Sequence, residues 1–428
     1  MGNRYDVVML VLNDLTHDSR VRREAEALAT TWRVLVVGTQ RADGALPDRE
    51  RIANFEVWRI RYGRWGAGLW RPWRWLRHAL QAVLIVWALR RVRARVYHAH
   101  DLPALLLILS ARALWGRGAR LVYDAHELHA FMPRSACEHV RGSGAPPAAQ
   151  ARRRAALLRV VRRKAHGGAP TPADVRNAPR LSPARRALFV LEGACARRAD
   201  AVLSVSAPSA RALRLWWRLP RVYRVRNAVD PPGAAAPRDL RTLLDGRRCI
   251  VHSGDLTLRG RCLLELIQAL ALLPHDVALI FLGQGEARDL LVREAARLGV
   301  AGRVHFVPPV SPQAVAATVQ SCDVAAVLLC PESWHIRSTL PNKLFEALAA
   351  GVPVVTSDTF ALRRIVRRYE LGVLCDPRDP NAIATALRQL LTPEAQAYHR
   401  TRIHRAQQRI NWTHEAQRLR TIYRELLP

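Results

Sequence analysis

Lysine is almost absent from this chain of 428 residues: only Lys164 and Lys343 occur, although lysine and arginine together number 67. Aspartate and glutamate number only 35, so the formal net charge at pH 7 is +32. Such a surface attracts anionic partners, which include nucleic acids, anionic lipids and phosphorylated substrates. The scarcity also singles out Lys343, because it stands where the chain almost always carries arginine.

Cysteine is scarce too, and its spacing excludes the common metal-binding motifs. The seven cysteines form no Cys-x-x-Cys pair and show no zinc-ligand spacing. We therefore expect reduced, structural thiols in a cytoplasmic protein. The chain carries no zinc finger or RNA-recognition motif, so no specific nucleic acid is expected as a partner. Met1 leads almost directly into an apolar run, so no signal peptide is expected.

Long apolar runs are missing as well, because none approaches the roughly 20 residues that a membrane-spanning helix requires. The longest candidate, residues 79–89, lies within a Trp- and Arg-rich segment, residues 61–95. Basic amphipathic segments that carry tryptophan lie in membrane interfaces, which predicts a peripheral position on the inner face of the cytoplasmic membrane. The alternative is a helix packed on a sheet, with arginine side chains that extend to solvent.

Short apolar runs alternate with amphipathic stretches, a pattern typical of α/β domains with parallel sheets. The predicted strands of the first half are residues 7–12, 34–37, 96–98, 121–124 and 201–206. Those of the second half are residues 250–253, 278–282, 304–307, 324–328 and 352–356. The Pro- and Gly-rich residues 230–237 are predicted to join the two halves, and a terminal helix is expected at residues 413–427.

The most distinctive segment runs from Ser338 to Thr356 and places Lys343 and Glu346 on one face near the start of a helix. A helix N-terminus with a cation beside it suits a phosphate, because free backbone N–H groups and the helix dipole both favour negative charge. A carboxylate one turn further can accept hydrogen bonds from two neighbouring hydroxyls, as on a ribose. A solvated ion pair would show the same spacing.

This segment resembles the nucleotide-sugar-binding element of the family 4 glycosyltransferases, or glycosyl transferases group 1. The resemblance rests on Pro341-Asn-Lys-Leu-Phe-Glu346 and on the Gly-Val-Pro-Val-Val run that follows. In that family the glutamate binds the ribose, and residues at the helix start, here Pro341 and Asn342, face the phosphates and the sugar. The family usually has a second glutamate where this chain has Ser338.

The first half contains further segments that resemble family motifs. Residues 13–28 resemble the first strand–loop–helix, which assigns Asn13 to donor binding. Residues 97–101 and 123–127 follow predicted strands, at the edge where ligands bind in open α/β sheets. The resemblance assigns His126 to the sugar and phosphate. It places four residues along the acceptor side, namely His98, His100, Asp101 and Glu127. The histidines and acids would also suit a metal ion, but the resemblance implies no essential metal and no cofactor.

The second half opens with a glycine-containing loop at residues 252–260. In the family, the glycine, here Gly254, lets the backbone approach the donor diphosphate, and the arginine, here Arg259, neutralises it. Many members carry a second arginine directly after the glycine, where this chain has Asp255. The later turn Leu282-Gly-Gln-Gly-Glu286 resembles a donor-binding turn through Gly283 and Gly285.

The resemblance covers nearly the whole chain and implies the GT-B fold. This fold has two Rossmann-like, doubly wound α/β domains facing across a cleft, and a C-terminal helix that crosses back to the first domain. The predicted domains are residues 1–229, with the segment 61–95 and a basic insertion at 133–187, then residues 238–405, and the returning helix at 406–428.

The implied activity is transfer of a sugar from a nucleotide-diphosphate sugar to a hydroxyl, with retention of the anomeric configuration. His126, Arg259 and Lys343 would be the catalytic residues. The Trp- and Arg-rich segment lies in the domain that normally holds the acceptor, which points to a lipid-linked acceptor or a surface polysaccharide precursor. Two alternatives are a GT-B nucleotide-sugar epimerase and a basic protein that binds anions or lipid through a decayed catalytic cleft.

Overall fold

The computed structural model describes residues 4–16, 18–62, 73–115, 118–126, 128–131, 181–233 and 239–427. The chain divides into two compact units. The first contains Met1–Ala130, Arg180–Asn227 and Trp412–Pro428, and the second contains Phe131–Pro179 and Ala228–Asn411. Residues 133–180 of the predicted basic insertion lie outside the described residues, as do residues 63–72 of the Trp- and Arg-rich segment.

The first unit is built on an eight-stranded sheet in the order β3-β4-β2-β1-β5-β6-β7-β8. Neighbouring strands are parallel except β3 and β4, which are antiparallel. The strands are β1 Arg4–Leu10, β2 Val34–Arg41, β3 Arg49–Ile52, β4 Phe55–Tyr62, β5 Arg93–His100, β6 Arg120–Ala125, β7 Ala201–Ser204 and β8 Val222–Arg224. The central strand β1 is apolar and buried from Val7 to Leu10, which fits a strand covered on both faces.

Five helices connect these strands in chain order. They are α1 Ser19–Ala29, α2 Trp73–Leu89, α3 Asp101–Trp115, α4 Pro183–Ala196 and α5 Ala207–Trp217. Parallel connections are right-handed, so α3, α4 and α5, which link β5 through to β8, cover one face of the sheet. Helix α2 packs against α3, α3 against α4, and α4 against α5. Helix α1 links β1 to β2 in the opposite direction and therefore covers the other face.

The second unit is a six-stranded parallel sheet in the order β11-β10-β9-β12-β13-β14. Its strands are β9 Arg248–Ser253, β10 Val277–Leu282, β11 Val304–Val307, β12 Val324–Val327, β13 Val354–Ser357 and β14 Gly372–Cys375. Its helices are α6 Leu263–Ala271, α7 Arg288–Arg297, α8 Val315–Val319, α9 Trp334–Ser338, α10 Asn342–Ala349, α11 Phe360–Tyr369, α12 Pro380–Leu390 and α13 Pro393–Gln407. The strand order reverses between β9 and β12, and ligands bind at such a switch point in doubly wound sheets.

The last helix, α14 Trp412–Leu426, packs against α1 of the first unit. Leu419 and Tyr423 of α14 are fully buried in the same apolar cluster as Val21 and Leu28 of α1. This packing confirms the prediction of a terminal helix that returns to the first domain. The two doubly wound sheets were also predicted correctly.

Strands β3, β4, β8 and β14 were not predicted. In β4 the side chains alternate between buried and partly exposed, and the partly exposed positions include charged residues. The predicted apolar stretch 79–89 is part of α2, whereas residues 61–62 end β4 and residues 93–95 begin β5, so the segment 61–95 is not one structural unit. Within the described ranges, every helix is too short or too polar to span a lipid bilayer.

The prediction that all cysteines are reduced was wrong for one pair. Cys262 and Cys330 form a disulfide, with Cα atoms 5.6 Å apart and a sequence separation of 68 residues. Cys262 directly precedes α6, and Cys330 follows β12 in the neighbouring loop, where its amide donates to the carbonyl of Gly260. The sequence carried no spacing signal because the sheet topology alone brings these loops together. Four other cysteines are buried free thiols, namely Cys195, Cys249, Cys322 and Cys375.

Candidate functional site

Polar side chains converge at the carboxyl ends of β5 and β6 in the first unit. The two strands pair in parallel, with His98 opposite Val122 and His100 opposite Asp124. His98, His100 and Asp124 are all buried, and His126 follows two residues after Asp124 with a side chain that is partly accessible. This edge of the sheet therefore holds a compact cluster of ionisable groups, as the sequence predicted for His98, His100 and His126.

Arg20, on the first turn of α1, is the centre of this cluster. Its Nε donates to Asp124 Oδ2 at 2.9 Å, and its Nη2 lies 2.9 Å from Glu24 Oε1. Its Nη1 donates to the carbonyl of Val225 at 3.0 Å and to Asn227 Oδ1 at 2.6 Å. One buried guanidinium thus holds α1, β6 and the segment after β8 together. Arg20 was not singled out from the sequence.

His126 lies between two charged partners. Its Nε2 is 2.7 Å from Asp124 Oδ2 and 2.8 Å from Arg20 Nε. Its Nδ1 is 3.7 Å from Asp101 Oδ2. Burial lowers the pKa of His126, but the carboxylates of Asp124 and Asp101 outweigh burial and raise it to about 9. The close contacts with Asp124 and Arg20 orient the ring at the edge of the sheet.

The other two histidines lie beneath His126 and are neutral. Their rings stack with centroids 4.3 Å apart, and Nδ1 of His98 lies 2.8 Å from the hydroxyl of Tyr423 on α14. Burial lowers the pKa of His98 to about 3 and that of His100 well below its usual value. His98 therefore contacts the returning helix. The predicted acceptor-side role of these residues stays a prediction, and Glu127 lies outside the described residues.

Two histidines and two carboxylates of this cluster have the chemistry of metal ligands. One potential ligand atom from each of Glu24, His98, His100 and Asp124 lies within 4.8 Å of the others. However, the guanidinium of Arg20 lies 2.9 Å from both carboxylates, where a cation would be needed to balance their charge. Burial raises the pKa of Glu24 to about 8 in spite of Arg20, so Asp124 is the main anion of the cluster. The arrangement suits a buried arginine better than a metal ion.

The raised pKa of His126 makes stability depend on pH. A group with a folded-state pKa of about 9 and an ordinary value of 6.5 stabilises the fold fully below pH 6.5. That contribution is lost as the pH rises towards 9, and the expected loss is about 3 kcal/mol. Urea unfolding from pH 6.5 to 9 should therefore show a steeper decline for the wild type than for His126→Gln. The control His404→Gln, at an exposed position on α13, should keep the wild-type slope. Equal slopes in wild type and His126→Gln would contradict the assigned charge.

In the second unit, Lys343 lies on the first turn of α10 beside the end of β9. Its Nζ is 2.8 Å from His252 Nε2, and the side chain is buried. Gly254 follows β9 with a φ of +103°, and a Cβ built there would lie 3.7 Å from Lys343 Nζ. The positive φ favours glycine at this position, and the loop passes directly beside the Lys343 amine. That this loop approaches a ligand stays a prediction.

A second basic side chain, Arg261, accompanies Lys343. Burial, and then the charge of Arg261, hold the pKa of Lys343 well below its usual value, and burial also lowers the pKa of Arg261. Among the described residues, no carboxylate forms an ion pair with either side chain, and the buried Nε of Arg261 has no hydrogen-bond partner. Glu346 and Asp255 act on the pKa of Lys343 only from beyond ion-pair distance, so a buried lysine and a partly exposed arginine lie together without a direct ion pair, which suits an anion.

Glu346 lies one turn beyond Lys343 on the same face of α10. Its Oε2 accepts a hydrogen bond from Ser253 Oγ at 3.1 Å, and its side chain is partly exposed. Ser253 is the last residue of β9, so Glu346 is held at the carboxyl end of the central strand. The structure therefore brings Lys343, Gly254 and Glu346 together, as the sequence predicted.

Gly283 and Gly285 lie in the loop after β10, which packs against the Gly254 loop. A Cβ at Gly283 would lie 2.1 Å from the carbonyl oxygen of Gly254, and one at Gly285 would lie 2.3 Å from that of Leu256. The amide of Leu256 also donates to the carbonyl of Gln284 at 2.9 Å. Both glycines are therefore required by backbone packing, which shapes the Gly254 loop. Their assignment to donor binding stays a prediction.

The remaining predicted residues are distributed around these two centres. Asn13 Nδ2 donates to Asp18 Oδ2 at 2.8 Å, so the side chain helps to order the loop before α1. Arg259 is exposed, and its amide donates to Thr257 Oγ1 at 3.2 Å. Ser338 is buried, and its hydroxyl donates to the carbonyl of His335 at 3.1 Å. Pro341 directly precedes α10, with Asn342 as the first helical residue.

Arg20 and Arg261 are the two important residues that were missed. Residues 20, 24 and 28 follow the i, i+4 spacing, so Arg20 and Glu24 share the buried face of α1 with Leu28. That spacing was a usable signal. The arginines on either side of Gly260 look alike in the sequence, and only the structure shows that Arg261 accompanies Lys343 while Arg259 is exposed.

Comparison with known proteins supports the pattern found in the second unit. Residues 242–409 match the family described as Glycosyl transferases group 1. This range contains Gly254, Arg261, Lys343 and Glu346. Over residues 242–409, the match agrees with the resemblance that the sequence motifs indicated.

Among named relatives, the D-inositol 3-phosphate glycosyltransferase of Xylanimonas cellulosilytica is 32% identical over 223 residues, which cover 48% of this chain and 51% of that protein. The protein of the same name from Rhodococcus opacus is 34% identical over 144 residues, which cover 33% of this chain and 31% of that protein. The chain therefore spans about half the length of these relatives or less.

Solved structures resemble the chain over almost its whole length. Sucrose-phosphate synthase from Thermosynechococcus elongatus has a TM-score of 0.69 at 18% identity and covers 99% of both chains. Anabaena HepE in complex with UDP and glucose has a TM-score of 0.66 at 17% identity and covers 98% of this chain and 100% of that chain. At these identities the likeness concerns the fold, and it confirms the GT-B prediction.

Proposed function

We propose that this chain, whose residues 242–409 match the glycosyl transferases group 1 family, is a member of it and transfers a sugar from a nucleotide-diphosphate sugar to a hydroxyl group. The observation that carries the proposal is the close pair of basic side chains formed by the buried Lys343 and the partly exposed Arg261. Among the described residues, no carboxylate forms an ion pair with either of them. The diphosphate of the donor would supply the missing negative charge. HepE, which shares the fold, is described in complex with UDP and glucose.

The start of α10 suits the leaving diphosphate. The helix begins at Asn342, and the backbone N–H groups of its first turn and the helix dipole favour negative charge there. The anion would raise the lowered pKa of Lys343, so binding would bring a proton to its amine. Negative charge grows on the diphosphate as the bond to the sugar breaks, so these donors would stabilise the transition state more than the ground state. The exposed Arg259 would reach the diphosphate from the same loop.

Glu346 would bind the ribose of the donor. Its carboxylate is fixed by Ser253 and lies one helical turn from Lys343. Two carboxylate oxygens can accept hydrogen bonds from the two neighbouring hydroxyls of a ribose. The distance of one turn between a phosphate-binding lysine and a ribose-binding glutamate fits a nucleoside diphosphate.

Transfer with retention needs no pair of carboxylates of the hydrolase kind. The bond between the anomeric carbon and the phosphate oxygen breaks, and the acceptor oxygen forms its bond on the same face. The acceptor proton passes to the departing phosphate oxygen. His126, oriented by Asp124, would donate a hydrogen bond to the sugar or its phosphate. The acceptor proposed for this reaction is a lipid-linked sugar or a surface polysaccharide precursor on the cytoplasmic side of the membrane.

A thermal-shift screen with UDP-, GDP- and ADP-sugars tests the proposed donor class. A donor at a hundred times its dissociation constant should stabilise the fold by about 2.7 kcal/mol. The Glu346→Ala variant should be stabilised much less by the same donor, with a loss of about 1–2 kcal/mol in binding.

Comparing the binding of a nucleoside diphosphate with that of its 2′-deoxy form distinguishes loss of the ribose contact from a general loss of nucleotide binding. The wild type should bind the ribose form about tenfold more tightly, and Glu346→Ala should bind both forms alike. Glu370→Ala, on the loop after α11, serves as the control and should keep the preference. A preference that survives in Glu346→Ala would assign the ribose to another residue.

A further inference from the structure

Exposed apolar side chains are concentrated on one layer of the first unit. Among the described residues, eight of the thirteen large apolar side chains that are exposed lie on the adjacent helices α2, α3, α4 and α5. They are Leu80, Val83, Leu84, Trp87, Leu114, Val190, Leu191 and Leu215. These helices cover the sheet face opposite α1 and α14. A folded domain that exposes apolar groups in this way on one face indicates a binding surface.

Helix α2 carries the core of this surface. Leu80, Val83, Leu84 and Trp87 are spaced at i, i+3, i+4 and i+7, so they form one stripe along the helix. Val83 is 65% exposed and Trp87 is 48% exposed. Ile85 and Leu89 are buried, so the helix is already anchored to the domain by its opposite side. The stripe is therefore not needed to hold α2 in place.

Positive charge surrounds the apolar stripe. Arg90 and Arg91 follow α2 and are exposed, and the Arg91 guanidinium carbon lies 4.1 Å from the centre of the Trp87 ring. Further exposed arginines on the layer are Arg186, Arg211, Arg214 and Arg218. The surface thus combines apolar groups with arginines that cover or flank them.

Negative charge is nearly absent from the same four helices. Their described sequences contain only two acidic residues, Asp101 and Glu192. Glu192 is buried and accepts a hydrogen bond from the Tyr123 hydroxyl, while Asp101 lies near His126 at the end of the sheet. The outer surface of the layer therefore offers arginine and apolar groups without opposing carboxylates.

We propose that the outer face of helices α2 to α5 docks on an anionic lipid bilayer. Tryptophan and aliphatic groups enter the interfacial region of a membrane, and arginines next to them bind anionic headgroups. The charge of the face matches the negative surface of such a membrane, and the apolar stripe explains why binding would not be electrostatic alone. The role that we assign to membrane docking rests on the proposed function: docking would bring the enzyme to an acceptor held in the membrane.

Vesicle flotation with the full chain tests the proposal. The protein should float with phosphatidylcholine vesicles that contain about one third phosphatidylglycerol and should not float with pure phosphatidylcholine. The double variant Val83→Gln with Trp87→Gln should bind at least about tenfold more weakly. Arg211→Gln and Arg214→Gln should each reduce the affinity about fivefold.

The matched control is Leu272→Gln with Val292→Gln in the second unit. These apolar side chains are similarly exposed, at 43% and 41%, but lie outside the proposed face. The control should float as the wild type does. Wild-type flotation of the Val83 and Trp87 variant would overturn the proposal, and so would equal affinity for vesicles and for duplex DNA. A dimer that this variant dissociates would instead assign the face to a second copy of the chain.

Donor binding is measured on the same samples, so that the two proposals fail separately. The variants of the docking face lie in the first unit, far in the sequence from Lys343 and Arg261, and the thermal shift caused by the donor should stay unchanged in them. Loss of flotation with intact donor binding supports the docking face. Flotation without binding of any nucleotide sugar would support membrane docking and contradict the proposed sugar transfer.

Discussion

Replacing Lys343 with glutamine should lower sugar transfer by about 10²–10³-fold and leave the protein folded. The loss follows from removing the amine that gains a proton when the donor binds and that lies where the leaving diphosphate gains charge. Stability should not fall, because burial and Arg261 hold the pKa of Lys343 well below its usual value. Folding therefore disfavours the charged lysine at neutral pH, and glutamine relieves that cost. Release of nucleoside diphosphate measures the activity, and urea unfolding measures the stability.

Two further variants make this result specific. Lys343→Arg keeps a cation at the position and should recover part of the activity. Arg364→Gln removes an exposed positive charge from α11 and should leave transfer unchanged. An inactive Lys343→Gln that is also unfolded would point to a structural role instead, and undiminished turnover would remove Lys343 from the proposed mechanism.

Replacing Arg20 with methionine should lower the free energy of unfolding by about 3–5 kcal/mol, because it leaves a buried carboxylate without its principal counterion. Arg20 and Asp124 are joined by a 2.9 Å contact with side-chain exposures of 5% and 0%. Arg20 also donates to Val225 and Asn227, so the variant removes the support of the segment after β8. Methionine keeps most of the apolar volume of the side chain, which isolates the effect of charge and hydrogen bonding.

The same helix offers a matched control. Arg22 pairs with Glu26 at 2.9 Å and at the i, i+4 spacing of Arg20 and Glu24, but its exposure is 34% and that of Glu26 is 35%. Arg22→Met should cost less than about 0.5 kcal/mol, since exposed ion pairs contribute little. Equal losses in the two variants would show that burial of the Arg20 cluster has no special effect on stability.

Much of the fold could be predicted because buried parallel strands are apolar along their whole length. The run Val304–Val307 was predicted with its observed bounds, and the other nine predicted strands overlap observed ones. Strand β4 was not predicted because its outward positions include charged residues, which interrupt the apolar run. Short edge strands such as β8 and β14 lack a long apolar run, so composition alone does not mark them.

Residues of the candidate site could be predicted where their type is rare in this chain. Lys343 is one of two lysines, and Glu346 follows it on one helix face. Arg261 was not predictable, because nothing in the sequence distinguishes the arginine beside Lys343 from the other arginines of the chain, which number 65 in all (67 minus two lysines). The disulfide between Cys262 and Cys330 was not predicted either, since only the sheet topology brings the two loops together.

The central claim is that the chain moves a sugar from a nucleotide donor with retention, and one nuclear magnetic resonance measurement tests it most directly. The full chain is incubated with the donor that stabilises it and with a bacterial lipid extract as the source of acceptor. The account predicts release of the nucleoside diphosphate and a glycosylated product whose anomeric configuration equals that of the donor. An epimerised nucleotide sugar, a product of inverted configuration, or a donor that stays intact would contradict it.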